Sequence, residues 1–161
     1  YVPVPAERDE ALKIVNEFKE VFENEQTLKV GQNIKYDILA LSNYGIHVKG
    51  PMFDTMIAHY VLQPELRHNM DYLAEIYLNY RTIPIEDLIG SKGKNQKNMR
   101  DLSPEAVYKY ACEDADITLK LKGALEKELE EEHLGGADGA AAVPFERCRC
   151  HGRGCARAGG G

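Results

Sequence analysis

Thr27-Leu28-Lys29-Val30-Gly31-Gln32-Asn33-Ile34-Lys35-Tyr36-Asp37-Ile38-Leu39-Ala40-Leu41-Ser42-Asn43-Tyr44, residues 27–44, reads as a short strand running straight into a helix. The strand ends at Gly31. Helical spacing then carries the apolar positions to Tyr44, and Gly45 takes the usual place of a residue that closes a helix. Asp37 lies inside the apolar stripe. At about 100° per residue, Asn33, Ile34, Ala40, Leu41 and Tyr44 gather around it, while Lys35, Ser42 and Asn43 do not.

The same pattern recurs in a second segment, Tyr110-Ala111-Cys112-Glu113-Asp114. Ser103-Pro104 opens a long helix there, a capping residue followed by proline at the first helical position. It runs to about Glu132. Val107, Tyr110, Ala111, Ile117, Thr118, Leu121 and Leu125 fall within about 60° of Asp114, whereas Glu113 and Asp116 fall outside. Each aspartate has a polar partner four residues earlier, Asn33 for Asp37 and Tyr110 for Asp114. That spacing places each pair on one helix face. A carboxylate in an apolar stripe must be neutralised, paired or metal-bound. Two helices bearing inward carboxylates are one way to build a divalent-metal site for phosphate chemistry.

Around these segments the chain alternates strands and helices. Tyr1–Val4 and Ile46-His47-Val48 are candidate strands. Residues 6–25 predict one amphipathic helix, with Ala11, Leu12, Ile14, Val15, Phe18, Val21 and Phe22 as its apolar face. Asp54 is placed to cap a helix through Met56, Ile57, Tyr60 and Val61, with Pro64 beyond its end. Asn69 caps the next, with Met70, Leu73, Ile76 and Tyr77 inward. Pro84 opens a short helical turn through Ile85, Leu88 and Ile89. The class is α/β, helix-rich in its C-terminal half. Three strands are few for a sheet flanked by helices, which has about five.

The 161 residues carry a net charge of −6 and 43% hydrophobic residues, the profile of one globular domain with an appendage. No apolar run approaches about 18 residues, so no membrane partner is expected. A negative balance does not advertise nucleic-acid binding, although bound cations can bring a phosphate to an acidic site. A single cysteine in the body, Cys112, gives no disulfide framework and suits a reducing cytoplasm. Tyr1-Val2-Pro3-Val4-Pro5 has neither an initiator Met nor a signal pattern and reads as the middle of something longer. Residues 135–161 change character to Gly, Ala, Arg and Cys without apolar periodicity. They form a low-complexity tail to a body of residues 1–134, and out-of-frame translation is one expectation for their origin. The spacing of Cys148, Cys150, His151 and Cys155 is not that of a strong zinc site.

The Gly31–Asp37 and Tyr110–Asp116 segments resemble the second and third exonuclease motifs of the 3′→5′ proofreading domain of bacterial polymerase I-type (family A) DNA polymerases. Phe53-Asp54-Thr55-Met56, Arg67-His68-Asn69-Met70-Asp71 and Gly90-Ser91-Lys92-Gly93-Lys94-Asn95-Gln96 resemble it too, in order and at similar spacing. The resemblance covers roughly residues 1–133. It implies an RNase H-like fold and two-metal hydrolysis of 3′-terminal nucleotides of DNA. In that scheme Asp37 and Asp114 are ligands of Mg²⁺ or Mn²⁺, and the Tyr110 hydroxyl orients the attacking water. Gln32, Asn33 and Arg67 match positions near the single strand. Implied partners are a single-stranded DNA 3′ end and a polymerase region of the same parent chain. A bacterial cytoplasmic location and no obligate oligomer follow.

One departure matters. The family's first motif, an Asp-x-Glu on a central first strand, is absent. The mixed sheet is therefore expected to lack its first two strands, with open edges and half a metal site, and the fragment to be inactive or nearly so. Two other readings stay open. One is a non-catalytic nucleic-acid-binding or scaffold module. The other is a ribonuclease D-like RNA-trimming enzyme, which shares the tyrosine-bearing motifs. The basic stretch Lys92–Arg100 is a candidate phosphate-contacting loop.

Overall fold

A computed structural model describes residues 1–91, 93 and 96–132. Two parallel strands organise it, β1 (Lys29–Gly31) and β2 (Met52–Asp54), paired in the register Lys29–Met52, Val30–Phe53 and Gly31–Asp54. Parallel neighbours need a crossover, and α3 (Lys35–Ser42) supplies it. Before the sheet come α1 (Arg8–Asn16) and α2 (Lys19–Glu23). After it come α4 (Thr55–Leu62), α5 (Met70–Leu78), α6 (Ile85–Ile89), a 3₁₀ turn at Met99–Asp101, and the 28-residue α7 (Pro104–Glu131). The class is helix-rich α/β.

The strand expectations need correcting. Ile46-His47-Val48 is not a strand. Ile46 is buried, but the His47 N–H donates to Glu23 Oε1 at 3.0 Å and the Lys49 N–H to the Phe22 carbonyl at 3.0 Å. Those amides are committed to α2 and cannot join a ladder. The pairing strand is Met52–Asp54 instead. Tyr1–Val4 is not a strand either. Among the described residues no strand lies beside it, and Tyr1, Val2 and Val4 are exposed.

The single helix expected over residues 6–25 is broken at Glu17–Phe18. There the Glu17 and Phe18 N–H groups turn back to the Ile14 and Val15 carbonyls, and the Phe18 carbonyl starts α2. Apolar spacing continues through the break and so conceals it. The helices capped by Asp54 and started by Ser103-Pro104 form where the sequence places them. On α5 the inner face is Leu73 and Ala74, while Ile76 is 47% exposed. Pro84 takes the N-cap of α6.

One core unites these pieces. Phe53 of β2, Ala58 of α4, Leu73 and Ala74 of α5, and Ile117, Leu121, Leu125 and Leu129 of α7 form it. The α7 members repeat at the spacing expected of a helix face. This packing fixes the α7 stripe, and with it Asp114, against the sheet.

Candidate functional site

An open cleft of about 570 Å³ lies where β1 ends, with Gly31, Gln32, Asp37, Ala111, Asp114 and Thr118 among its lining residues. The carboxyl end of a parallel strand is a common place for a ligand crevice. The turn from β1 into α3 is tight. A Cβ at Gly31 would sit 2.9 Å from the Ile34 side chain, so only glycine lets the chain turn this closely.

Asp114 comes to the cleft on the core-packed face of α7. Its Oδ1 is buried and has no hydrogen-bond partner among the described residues. Burial, then the negative charges of Glu113 and Asp71, push its carboxyl up to about 6, and the Tyr110 hydroxyl pulls the other way. Tyr110, one turn earlier, is itself pushed up to about 12 by burial and by the charges of Asp114, Asp71 and Glu113. Both residues lie within the continuous α7, so the four-residue spacing does place them on one helix face.

Asp71 and Glu113 are members of this neighbourhood that the sequence did not single out. Asp71 Oδ1 accepts the Thr82 hydroxyl at 2.7 Å. Glu113 accepts the Tyr80 hydroxyl at 2.6 Å and the Ile83 N–H at 2.7 Å. Their carboxylates anchor the 80–83 segment to α5 and α7. No local signal announces this, because their partners are distant in sequence.

Asp37 reaches the same cleft from the first turn of α3. Lost solvent along the cleft and the charge of Asp54 hold its carboxyl above the usual range, against its own backbone N–H. The side chain is largely open to water, so screening keeps this effect weak. Asn33 does not share a helix face with it. α3 begins at Lys35, and Asn33 sits before it at φ +58°, in the left-handed region that asparagine tolerates. Four-residue spacing therefore does not put the Asn33 and Asp37 side chains on one helix face.

Gln32 lines the cleft, but its amide is engaged at both ends. Nε2 donates to the His68 carbonyl at 2.7 Å and Oε1 accepts the hydroxyl of buried Thr55. Arg67 is exposed on the α4–α5 connection and is not among the cleft-lining residues. Of the basic loop, Lys92, Lys94 and Asn95 lie outside the described residues, as does the tail with Cys148, Cys150, His151 and Cys155.

Among the described residues no group of three or more His, Cys, Asp or Glu side chains forms a metal-holding cluster. The two cleft carboxylates nonetheless offer what Mg²⁺ or Mn²⁺ binds, hard oxygens, and one of them has a buried unpartnered lone pair. That donor chemistry fits a divalent cation.

Comparison with known proteins gives the same direction. The 3′-5′ exonuclease family model matches residues 1–130. DNA polymerase I of Pseudomonas aeruginosa is 42% identical over 132 residues, covering 80% of this chain and 14% of that protein. DNA polymerase I of Borreliella burgdorferi is 34% identical over 150 residues, covering 91% of this chain and 16% of that protein. The chain thus spans about a seventh of the length of these curated relatives. No helix among the described residues is long and apolar enough to cross a membrane. With a family match along nearly all of the described chain, and with the carboxylates of its two quoted motifs on one cleft, this chain belongs to the 3′-5′ exonuclease family.

Proposed function

We propose that the cleft belongs to the proofreading nuclease of a polymerase I-type protein and acts on the 3′-terminal phosphodiester of DNA. The observation that carries this is the buried, unpartnered Oδ1 of Asp114 on a cleft that Asp37 also lines. Asp37 and Asp114 would hold Mg²⁺ or Mn²⁺. When bound, the cation supplies Lewis acidity and offsets the charge that builds on the phosphate. Tyr110, with a hydroxyl pushed up to about 12, stays protonated at neutral pH and serves as a donor that orients a water beside Asp114. Gln32 shapes the turn at the cleft, Asn33 shapes the start of α3, and exposed Arg67 offers a guanidinium to the strand's phosphates.

The fold that accompanies this reading is RNase H-like, with the two parallel strands as part of its sheet. Residues 1–134 form the exonuclease unit and residues 135–161 an appended segment. A single-stranded DNA 3′ end, a polymerase region and the bacterial cytoplasm are the matching partners and location. The names of the relatives favour DNA over RNA as substrate. Two cleft carboxylates are half the set the family resemblance implies, so turnover by the 161-residue chain is slow at best.

A 3′-labelled single-stranded oligonucleotide incubated with Mg²⁺ or Mn²⁺ tests the reading. Little or no mononucleotide release is expected from the 161-residue chain, and whatever is measured should disappear in Asp114→Ala. Release indifferent to Asp114→Ala, or faster cutting of RNA than of DNA, overturns it.

A further inference from the structure

We infer that Asp54 is the positioning residue for the cleft carboxylate of Asp37. The helix that carries Asp37, α3, has no buried residue. Its inward residues Ile34, Ile38 and Leu41 are only part-buried, so packing fixes it less firmly than the core helices, and hydrogen bonds hold its two ends. At its C-terminal end the Arg8 guanidinium donates to the Asn43 carbonyl at 2.9 Å and lies over the Tyr44 ring, and Ile46 is buried.

At its N-terminal end the contacts converge on Asp54, which is itself buried. Asp54 Oδ1 accepts the Asn33 N–H at 2.9 Å and Oδ2 accepts the Ile34 N–H at 3.0 Å. The same carboxylate accepts the Met56 and Ile57 N–H groups at 2.9 and 3.4 Å. An ordinary N-cap satisfies donors of its own helix. This one caps α4 and also takes the amides that open α3, binding two segments far apart in the chain. It holds Asn33 at φ +58° and uses Ile34 N–H, a donor with no partner inside α3. Asp37 follows Ile34 by about one helical turn. Its place on the cleft is thus set chiefly through the Asp54 bridge, because no α3 residue is fully buried in the core. The functional meaning rests on the metal-site reading above.

The full 161-residue chain with Asp54→Ser and Asp54→Asn separates the two roles. Serine keeps the α4 cap but is too short to reach Asn33 and Ile34. Asparagine keeps one acceptor oxygen. Amide hydrogen exchange should quicken at Ile34 and Ile38 by about tenfold or more in Asp54→Ser, with Leu121 and Leu125 unchanged and Asp54→Asn between. Added Mn²⁺ should broaden amide signals around both Asp37 and Asp114 in the parent, and around Asp114 alone in Asp54→Ser. Unchanged exchange in α3, or equal acceleration in α4 and α7, overturns the positioning role. Mn²⁺ that broadens neither region of the parent overturns the metal reading instead, and the exchange comparison still decides the role of Asp54.

Discussion

His59 Nδ1 stands 2.7 Å from His68 Nδ1, so one imidazole donates and the other accepts. His59 is fully buried, its Nε2 has no partner among the described residues, and the Tyr72 and Tyr77 rings face it edge-on. Burial and His68 hold it below the usual histidine range, with Glu128 opposing. An unfolded histidine takes up its proton as pH falls through about 6.5, whereas the folded one resists. The unfolded state then binds more protons, so stability present above that pH is lost on acidification. Relative to His59→Gln, the parent should lose about 1 kcal/mol between pH 7.5 and 5.5 in urea titrations. A difference that stays constant across that range sinks the idea.

Asp114 carries the opposite sign. Its folded carboxyl is raised to about 6, above an unfolded value of about 3.9. Above pH 6 it is ionised in both states, and the fold bears the cost of an unpaired, half-buried charge. Between about pH 6 and 4 the folded state takes up the proton first, so its contribution to stability grows as pH falls. Asp114→Asn should therefore stabilise the chain by about 1–2 kcal/mol at pH 8, with the gain gone below about pH 4. The same variant should lose any Mn²⁺ response. Destabilisation at pH 8 would show that the carboxylate has a partner that stabilises it.

The α7 stripe divides buried from exposed residues within one helix. Leu121 is fully buried and Leu119 is 62% exposed. Leu121→Ala should cost about 2–5 kcal/mol in denaturant unfolding. Leu119→Ala should stay within about 0.5 kcal/mol. Comparable losses at both positions would mean that the face assignment is wrong.

That stripe was legible because α7 is long, one-sided and marked at its start by Ser103-Pro104. Local patterns of this kind survive folding unchanged, and Tyr110 and Asp114 lie one turn apart on the continuous α7 as their spacing predicts. Asn33 shows where such reading stops. Its spacing from Asp37 imitates a helix face, yet its backbone is turned left-handed by Asp54, which is distant in sequence. β2 was hidden for a related reason. Met52-Phe53-Asp54 is too short to show alternation, and Ile46–Val48 looked more strand-like until α2 claimed its neighbouring amides. Asp71, Glu113 and the His59–His68 pair depend wholly on tertiary partners, so no residue beside them in sequence marks their surroundings.

Gly31 gives the most local test of the turn that brings Asp37 to the cleft. A methyl group there would meet Ile34 Cβ and Cγ1 at 2.9 Å, and both atoms sit close to the backbone where they yield little. Gly31 is paired with Asp54 in the sheet and its carbonyl shares the Thr55 hydroxyl, at 3.2 Å, with Gln32 Oε1, so the strand end is held against drifting away from the contact. Overpacking of this kind costs about 1–3 kcal/mol, and Gly31→Ala should be destabilised by that amount. If the clash with Ile34 is the cause, removing both clashing atoms, Cβ and Cγ1, must relieve it. Ile34→Gly should then cost less in the Gly31→Ala background than in the parent, with a coupling of about 1 kcal/mol in a double-mutant cycle. Strictly additive losses would place the strain elsewhere in the turn and leave Ile34 as a bystander.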